Sequence, residues 1–167
     1  MNKKLIFIGG APGIGKSTVA GLLIKYLENG IWLDGDDLWR MNPFLVDENT
    51  KAMVEKNISF VLNSFLKEHF SYILFTWVLH SDSIKDTILS GLDQADFDFM
   101  HFTLICDEKT LKERLSTDVE RTTDQSLAIN RLEQSKHVKS LKIDTVNKTP
   151  PEIASMLKNQ IISWPVS

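Results

Sequence analysis

The sequence predicts an α/β fold: a three-layer α/β/α arrangement around a five-stranded parallel sheet. Three observations lead there. Short runs apolar enough to be buried on both faces alternate with segments of helical periodicity, the pattern of a parallel sheet covered by helices. A glycine-rich turn links the first such run to the first helix. The length, 167 residues, suits one core at roughly 100–200 residues per domain, so residues 1–167 are expected to form a single domain. With 43% hydrophobic and 25% charged residues, neither a disordered chain nor a coiled coil fits.

Leu5-Ile6-Phe7-Ile8 is the first strand, ending at Gly9-Gly10. From Ser17 the spacing of Val19, Leu22, Leu23, Tyr26 and Leu27 marks one helix face, which runs to Asn29-Gly30. Ile31-Trp32-Leu33 is a second strand followed by the acidic turn Asp34-Gly35-Asp36-Asp37. Val54, Ile58, Val61, Leu62, Phe65 and Leu66 line one side of the clearest helix. Tyr72 to Leu79 reads as a third, central strand, and Ser81-Asp82 caps a helix carrying Ile84, Ile88 and Leu89. Phe102 to Cys106 is the fourth strand, with Asp107 capping the helix of Leu111 and Leu115. Thr123 is placed to cap a helix through Leu127, Ile129 and Leu132. Leu141-Lys142-Ile143 is the last strand, and Thr149-Pro150-Pro151-Glu152 combines a capping box with proline at the first helical position.

Charge and cysteine content narrow the function classes. Nineteen Lys and Arg against 22 Asp and Glu give a net charge of −3, so no overall field attracts a polyanion, and nucleic acid is not expected as a partner. No apolar run approaches the roughly 18 residues of a membrane span, and no small-residue cleavage site follows Met1-Asn2-Lys3-Lys4. Neither a membrane partner nor secretion is expected. Cys106 stands alone, without a disulfide mate, which suits a cytoplasmic protein.

The chemistry is concentrated in Gly10-Ala11-Pro12-Gly13-Ile14-Gly15-Lys16-Ser17, a full G-x-x-x-x-G-K-[ST] match between strand and helix. Glycines let successive N–H groups point inward at phosphate oxygens. Lys16 supplies a charge for the β- and γ-phosphates and Ser17 a hydroxyl for Mg²⁺, while the helix N-terminus favours negative charge. Residues Gly10 to Thr18 are thus expected to hold ATP. In the acidic turn, Asp34 and Asp36 leave an extended segment on the same side, so one carboxylate can hold a metal-bound water while the other accepts a hydroxyl proton. The third strand contains no carboxylate.

Gly10 to Thr18 and Leu33-Asp34-Gly35-Asp36, together with the overall length and an Arg-bearing segment after the fourth strand, resemble the small P-loop kinases of the nucleoside monophosphate kinase-like class. Gluconate kinase, shikimate kinase, adenylylsulfate kinase and chloramphenicol phosphotransferase belong to that class. The chain also resembles a bacterial group of nucleotide kinases or ATPases without a defined substrate. The resemblance implies a P-loop fold with a lid at about 114–125 and transfer of the γ-phosphoryl group of ATP to a small-molecule acceptor, such as a nucleotide, sugar acid or antibiotic. It implies Asp36 as the base or acceptor-orienting group and Asp34 as an outer-sphere metal partner, with Ser17 at the metal. It also implies lid arginines, here Arg114 and Arg121, that stabilise the transferring charge. On the acceptor side, Arg40 is spaced to hold an anion, Trp39 and Trp77 are expected as pocket walls ahead of Trp32, and His80 follows the third strand. A non-catalytic ATP sensor and a stand-alone NTPase are the competing readings.

Overall fold

A computed structural model describes residues 2–93, 96–117 and 124–164. Strands β1 (Lys3–Gly9), β2 (Gly30–Asp34), β3 (Tyr72–Thr76), β4 (Phe97–Ile105) and β5 (Leu141–Asp144) form one sheet in the order β2-β3-β1-β4-β5. Every pairing is parallel. The helices are α1 (Lys16–Leu23), α2 (Glu48–Lys67), α3 (Asp82–Ser90), α4 (Glu108–Thr117), α5 (Gln125–Lys136) and α6 (Pro150–Ser163). The three-layer α/β/α arrangement with five parallel strands is therefore the observed fold.

Alternation along β1 assigns the layers. Ile6 and Ile8 pack with Val19 and Leu23 of α1, Leu111 of α4, Leu132 of α5 and Leu157 of α6. Leu5 and Phe7 face the other way, onto Val54, Ile58 and Leu62 of α2 and Ile88 of α3. A strand buried on both faces has no polar side, which is why β1 reads as a continuous apolar run. Lys4 is the exception. It is buried, and its Nζ donates to the Ile161 carbonyl at 2.7 Å, so the ammonium satisfies an orphan carbonyl near the end of α6.

Several boundaries differ from the sequence expectation, each because a neighbouring element decides them. The third strand stops at Thr76 instead of Leu79, since Asp34 of β2 and Ile8 of β1 are its last ladder partners. The fourth starts at Phe97 instead of Phe102 because β1 pairs with it from Lys3 onward. The first helix loses its α geometry after Leu23 and continues as a 3-10 turn over Ile24–Tyr26. The cap of α5 is Asp124, whose carboxylate accepts from the N–H groups of Ser126 and Leu127 at 2.8 and 3.2 Å. Thr123, expected in that role, lies outside the described residues. Both expected caps at Ser81 and Thr149 form. Among the described residues, no helix is long and apolar enough to cross a membrane.

One polar side chain in the sheet carries a pH consequence. His101 of β4 is buried between Phe7 and Phe99, and neither ring nitrogen has a hydrogen-bond partner among the described residues. Burial pushes its pKa from 6.5 down to about 4; Lys85 and Lys142 add to the effect and Asp82 opposes it. The unfolded chain takes up this proton below pH 6.5, whereas the folded chain does so only near pH 4. Stability from the neutral imidazole is thus full above pH 6.5 and is lost as pH falls to about 4, by about 3 kcal/mol. Denaturant titrations of wild type and His101→Leu across this range are expected to show that much less acid sensitivity in the variant, and a pH-independent difference would contradict the assignment.

Candidate active site

In a parallel sheet the carboxyl ends of all strands share one edge, where ligands bind in α/β proteins. The turn after β1 and the acidic turn after β2 both lie there. Gly10, Gly13 and Gly15 have φ of 147°, 78° and 105°, values that L side chains rarely adopt. At Gly13 an added Cβ would also come within 2.3 Å of the Leu115 Cδ2 methyl, so that side chain would have to move aside. At Gly15 a Cβ would meet nothing within 4 Å, so glycine there answers to the backbone alone and opens α1 as its N-cap. Ile14 is buried in the core and pins the turn. Lys16 is buried too, with Nζ donating to the Ala11 carbonyl at 2.9 Å, which curls the ammonium over the loop.

Ser17 and Asp34 come together. The Ser17 hydroxyl donates to Asp34 Oδ2 at 2.5 Å, and Asp34 Oδ1 accepts from the Asp36 N–H at 3.1 Å. Asp34 thereby caps the 3-10 turn Gly35–Trp39 and fixes the path of the backbone that carries Asp36, whose side chain is exposed. Among the described residues no three His, Cys, Asp or Glu side chains form a metal cage. The Ser17–Asp34 oxygen pair at a helix N-terminus instead fits a hard cation that takes most of its ligands from phosphate and water, the habit of Mg²⁺.

Arg114 takes a position the sequence did not reveal. Its guanidinium is half-buried and donates to the Ile14 carbonyl at 3.1 Å, to Thr145 Oγ1 at 2.9 Å and to the Thr145 carbonyl at 2.8 Å. Thr145, fully buried, donates its own hydroxyl hydrogen bond to the Ile105 carbonyl at 3.0 Å. Arg114 thus ties the phosphate turn to the loop after β5, and its neighbour Leu115 props Gly13 from below. Only spacing along a helix was legible in sequence, and nothing local signals a partner loop after β5. Of the expected lid, residues 114–117 belong to α4, and Arg121 lies outside the described residues.

The acceptor-side candidates divide. A cleft of about 530 Å³ runs from Pro12 of the phosphate turn past Trp39, Trp77 and His80. Lys51, Glu55 and Arg131 also line it, residues that helix periodicity assigns only to polar faces. Trp32 is elsewhere, packed on the α1 side of the sheet with its indole N–H on Thr76 Oγ1 at 3.0 Å. Arg40 turns to Asp37, with Nε and Nη2 at 3.1 and 2.7 Å from one carboxylate oxygen, and both side chains are exposed. His80 Nδ1 lies 3.1 Å from the Val78 carbonyl. A carbonyl only accepts, so Nδ1 carries the proton. Burial lowers the pKa of this ring, and the charges of Arg131 and Lys51 lower it further, so the imidazole is neutral near pH 7 and Nε2 is an acceptor.

Fold and turn together define a small P-loop kinase-like protein. Residues 6–137 match the AAA domain family, and the chain belongs to it. No curated protein matches the sequence. Among solved structures, the tunicamycin resistance protein of Deinococcus radiodurans is similar with a TM-score of 0.69 at 18% identity, covering 96% of each chain. A gluconokinase from Sinorhizobium meliloti gives 0.67 at 16%, covering 95% of each. Shikimate kinase from Acinetobacter baumannii gives 0.65 at 16%, covering 100% of this chain and 97% of that one. At these identities the likeness is one of fold.

The Arg114 bridge makes a stability prediction. Arg114→Met keeps the aliphatic stem but leaves the Thr145 and Ile14 carbonyls short of a donor, which is expected to cost about 1–3 kcal/mol in chemical denaturation. A change within error would show the bridge to be dispensable.

Proposed function

We propose that this protein is an ATP-dependent phosphotransferase that moves the γ-phosphoryl group to a hydroxyl or phosphate of a small molecule. The observation that carries the reading is the Ser17–Asp34 hydrogen bond, 2.5 Å long, which joins the phosphate turn to the acidic turn at one sheet edge. A nucleotide-binding turn alone serves many ends. Asp34 held against the serine that would take Mg²⁺, and capping the turn that carries Asp36, beside a cleft that begins at Pro12, suits transfer to a second molecule.

The roles follow from position. Backbone N–H groups of the turn Gly10–Thr18, other than Pro12, which has none, and Ile14, whose N–H donates to Ala11, bind the phosphates, and Lys16 is the counterion nearest the transferring group. Ser17 would hold Mg²⁺ with Asp34 behind it; the ion supplies charge neutralisation of the phosphates. Asp36, on the turn that Asp34 caps, orients the acceptor hydroxyl and takes its proton. Positioning and preorganised charge, rather than covalent chemistry, would provide the acceleration. A cytoplasmic setting suits the lone Cys106, which is buried and whose thiol pKa is pushed up by that burial.

Asp36→Asn is expected to reduce transfer at least about 100-fold while leaving ATP affinity nearly unchanged. Radiolabelled γ-phosphate transfer to an acceptor panel, paired with calorimetry of ATP binding, measures both. Undiminished transfer by Asp36→Asn would remove Asp36 from the chemistry.

A further inference from the structure

The phosphotransferase reading leaves the acceptor open, and the cleft beside Pro12 narrows it; an acceptor class assigned to this cleft rests on that reading. Two indoles form walls of the cleft, Trp39 and Trp77, with Val46 at the rim. Trp77 stands directly beside the acidic turn, because a Cβ added at Gly35 would come within 2.7 Å of its ring. Trp39 meets the ring of Phe44 at 6.0 Å between centroids. Phe44, Leu45 and Val46 are 68%, 51% and 51% exposed, so an apolar strip borders the mouth of an already aromatic cleft. Such surfaces favour a flat ring over a polyhydroxylated chain.

The charges point the same way. Lys51 in the cleft is paired with Glu48 at 2.9 Å, and Arg131 donates to the Gln134 side-chain oxygen at 2.8 Å. Glu55 adds a carboxyl whose pKa is raised by burial and by the Glu48 charge. Asp34 and Asp36 flank Gly35, which packs against Trp77, and Arg40 is engaged by Asp37. Among the described lining residues, then, the two carboxylates Glu48 and Glu55 balance Lys51 and Arg131, so the cleft carries no net positive charge to favour a phosphorylated or carboxylated acceptor over an uncharged one. His80 presents an acceptor nitrogen in the same cleft, with its tautomer fixed by the Val78 carbonyl.

We propose that the acceptor is an uncharged nucleoside-type compound, its flat heterocycle against Trp39 and Trp77, a ring N–H read by His80 Nε2, and a sugar hydroxyl directed to Asp36. The hydroxyl oxygen forms the new bond to the γ-phosphorus of ATP. The bond from that phosphorus to the β–γ bridging oxygen breaks, ADP leaves with the electron pair, and the hydroxyl proton passes to Asp36. The products are a phosphorylated nucleoside, ADP and a proton.

The test uses the full chain with Mg²⁺ and a non-hydrolysable ATP analogue. Adenosine, guanosine, cytidine, uridine and thymidine are titrated beside their monophosphates and gluconate, read by calorimetry and tryptophan fluorescence. At least one nucleoside is expected to bind about ten-fold or more tightly than its monophosphate and to quench the emission. Trp39→Ala is expected to weaken it about ten-fold while Trp39→Phe retains most affinity, and Glu55→Gln is expected to narrow the gap to the monophosphate. Tighter binding of a monophosphate or gluconate, or binding of the analogue with no heat from any nucleoside, overturns the proposal and leaves the phosphotransferase reading standing. Failure of the analogue itself to bind brings down both.

Discussion

The backbone between β1 and α1 must hold three glycines at positive φ while passing from a fully buried strand to a helix N-terminus, and most of the site is arranged to hold it there. Ile14 anchors the turn in the core, Lys16 closes over the Ala11 carbonyl, and Arg114 and Leu115 brace it from α4. The conformational cost of the cradle is met during folding, so its amides need no ordering when phosphate arrives. An anion site made of main-chain dipoles depends on this rigidity, since each N–H contributes only if it already points inward.

The same edge explains why β3 can lack an acidic residue. β3 lies between β2 and β1, with Thr76 in register with Asp34 on one side and Ile8 on the other. The Thr76 side chain is small and its hydroxyl is taken up by the Trp32 indole. Asp34 therefore reaches across the end of β3 to the Ser17 hydroxyl. A carboxylate at Thr76 would compete for that serine and crowd Asp34, so the two placements are alternatives rather than additions.

What was legible in the sequence was local. The phosphate turn follows from its own residues, the α2 helix from its period, and the caps at Ser81 and Thr149 from side chains three residues from their partners. Strand ends were not legible, because Thr76 and Phe97 are boundaries only by virtue of which strand lies alongside. The site divides in the same manner. Trp39, Trp77 and His80 share a cleft, as their positions after strands suggest, but Arg114's contacts with Ile14 and Thr145 depend on how α4 crosses the sheet edge. Arg40 shows how competition arises within a motif: four residues from Asp36, it is three from Asp37, which captures it.

These contrasts separate the site into a half that is fixed by the core and a half built on connections and the exposed faces of helices. The phosphate side hangs on β1, α1 and α4, all anchored by fully buried side chains such as Ile8, Val19 and Leu111. The acceptor side is drawn from the turn after β2, the segment leading to α2 and the turn after β3, where Trp39, Val46 and Trp77 are partly exposed or exposed, and from polar surface side chains of α2 and α5 such as Lys51, Glu55 and Arg131. Substitutions there disturb little packing, so acceptor recognition can change while the phosphate cradle stays as it is. The Ser17–Asp34 hydrogen bond links the two halves; on the acceptor side the close contact is Gly35 against Trp77. It joins the wall of the cleft to the turn that carries Asp36, so an acceptor seated on that ring is already registered against the carboxylate that must meet its hydroxyl.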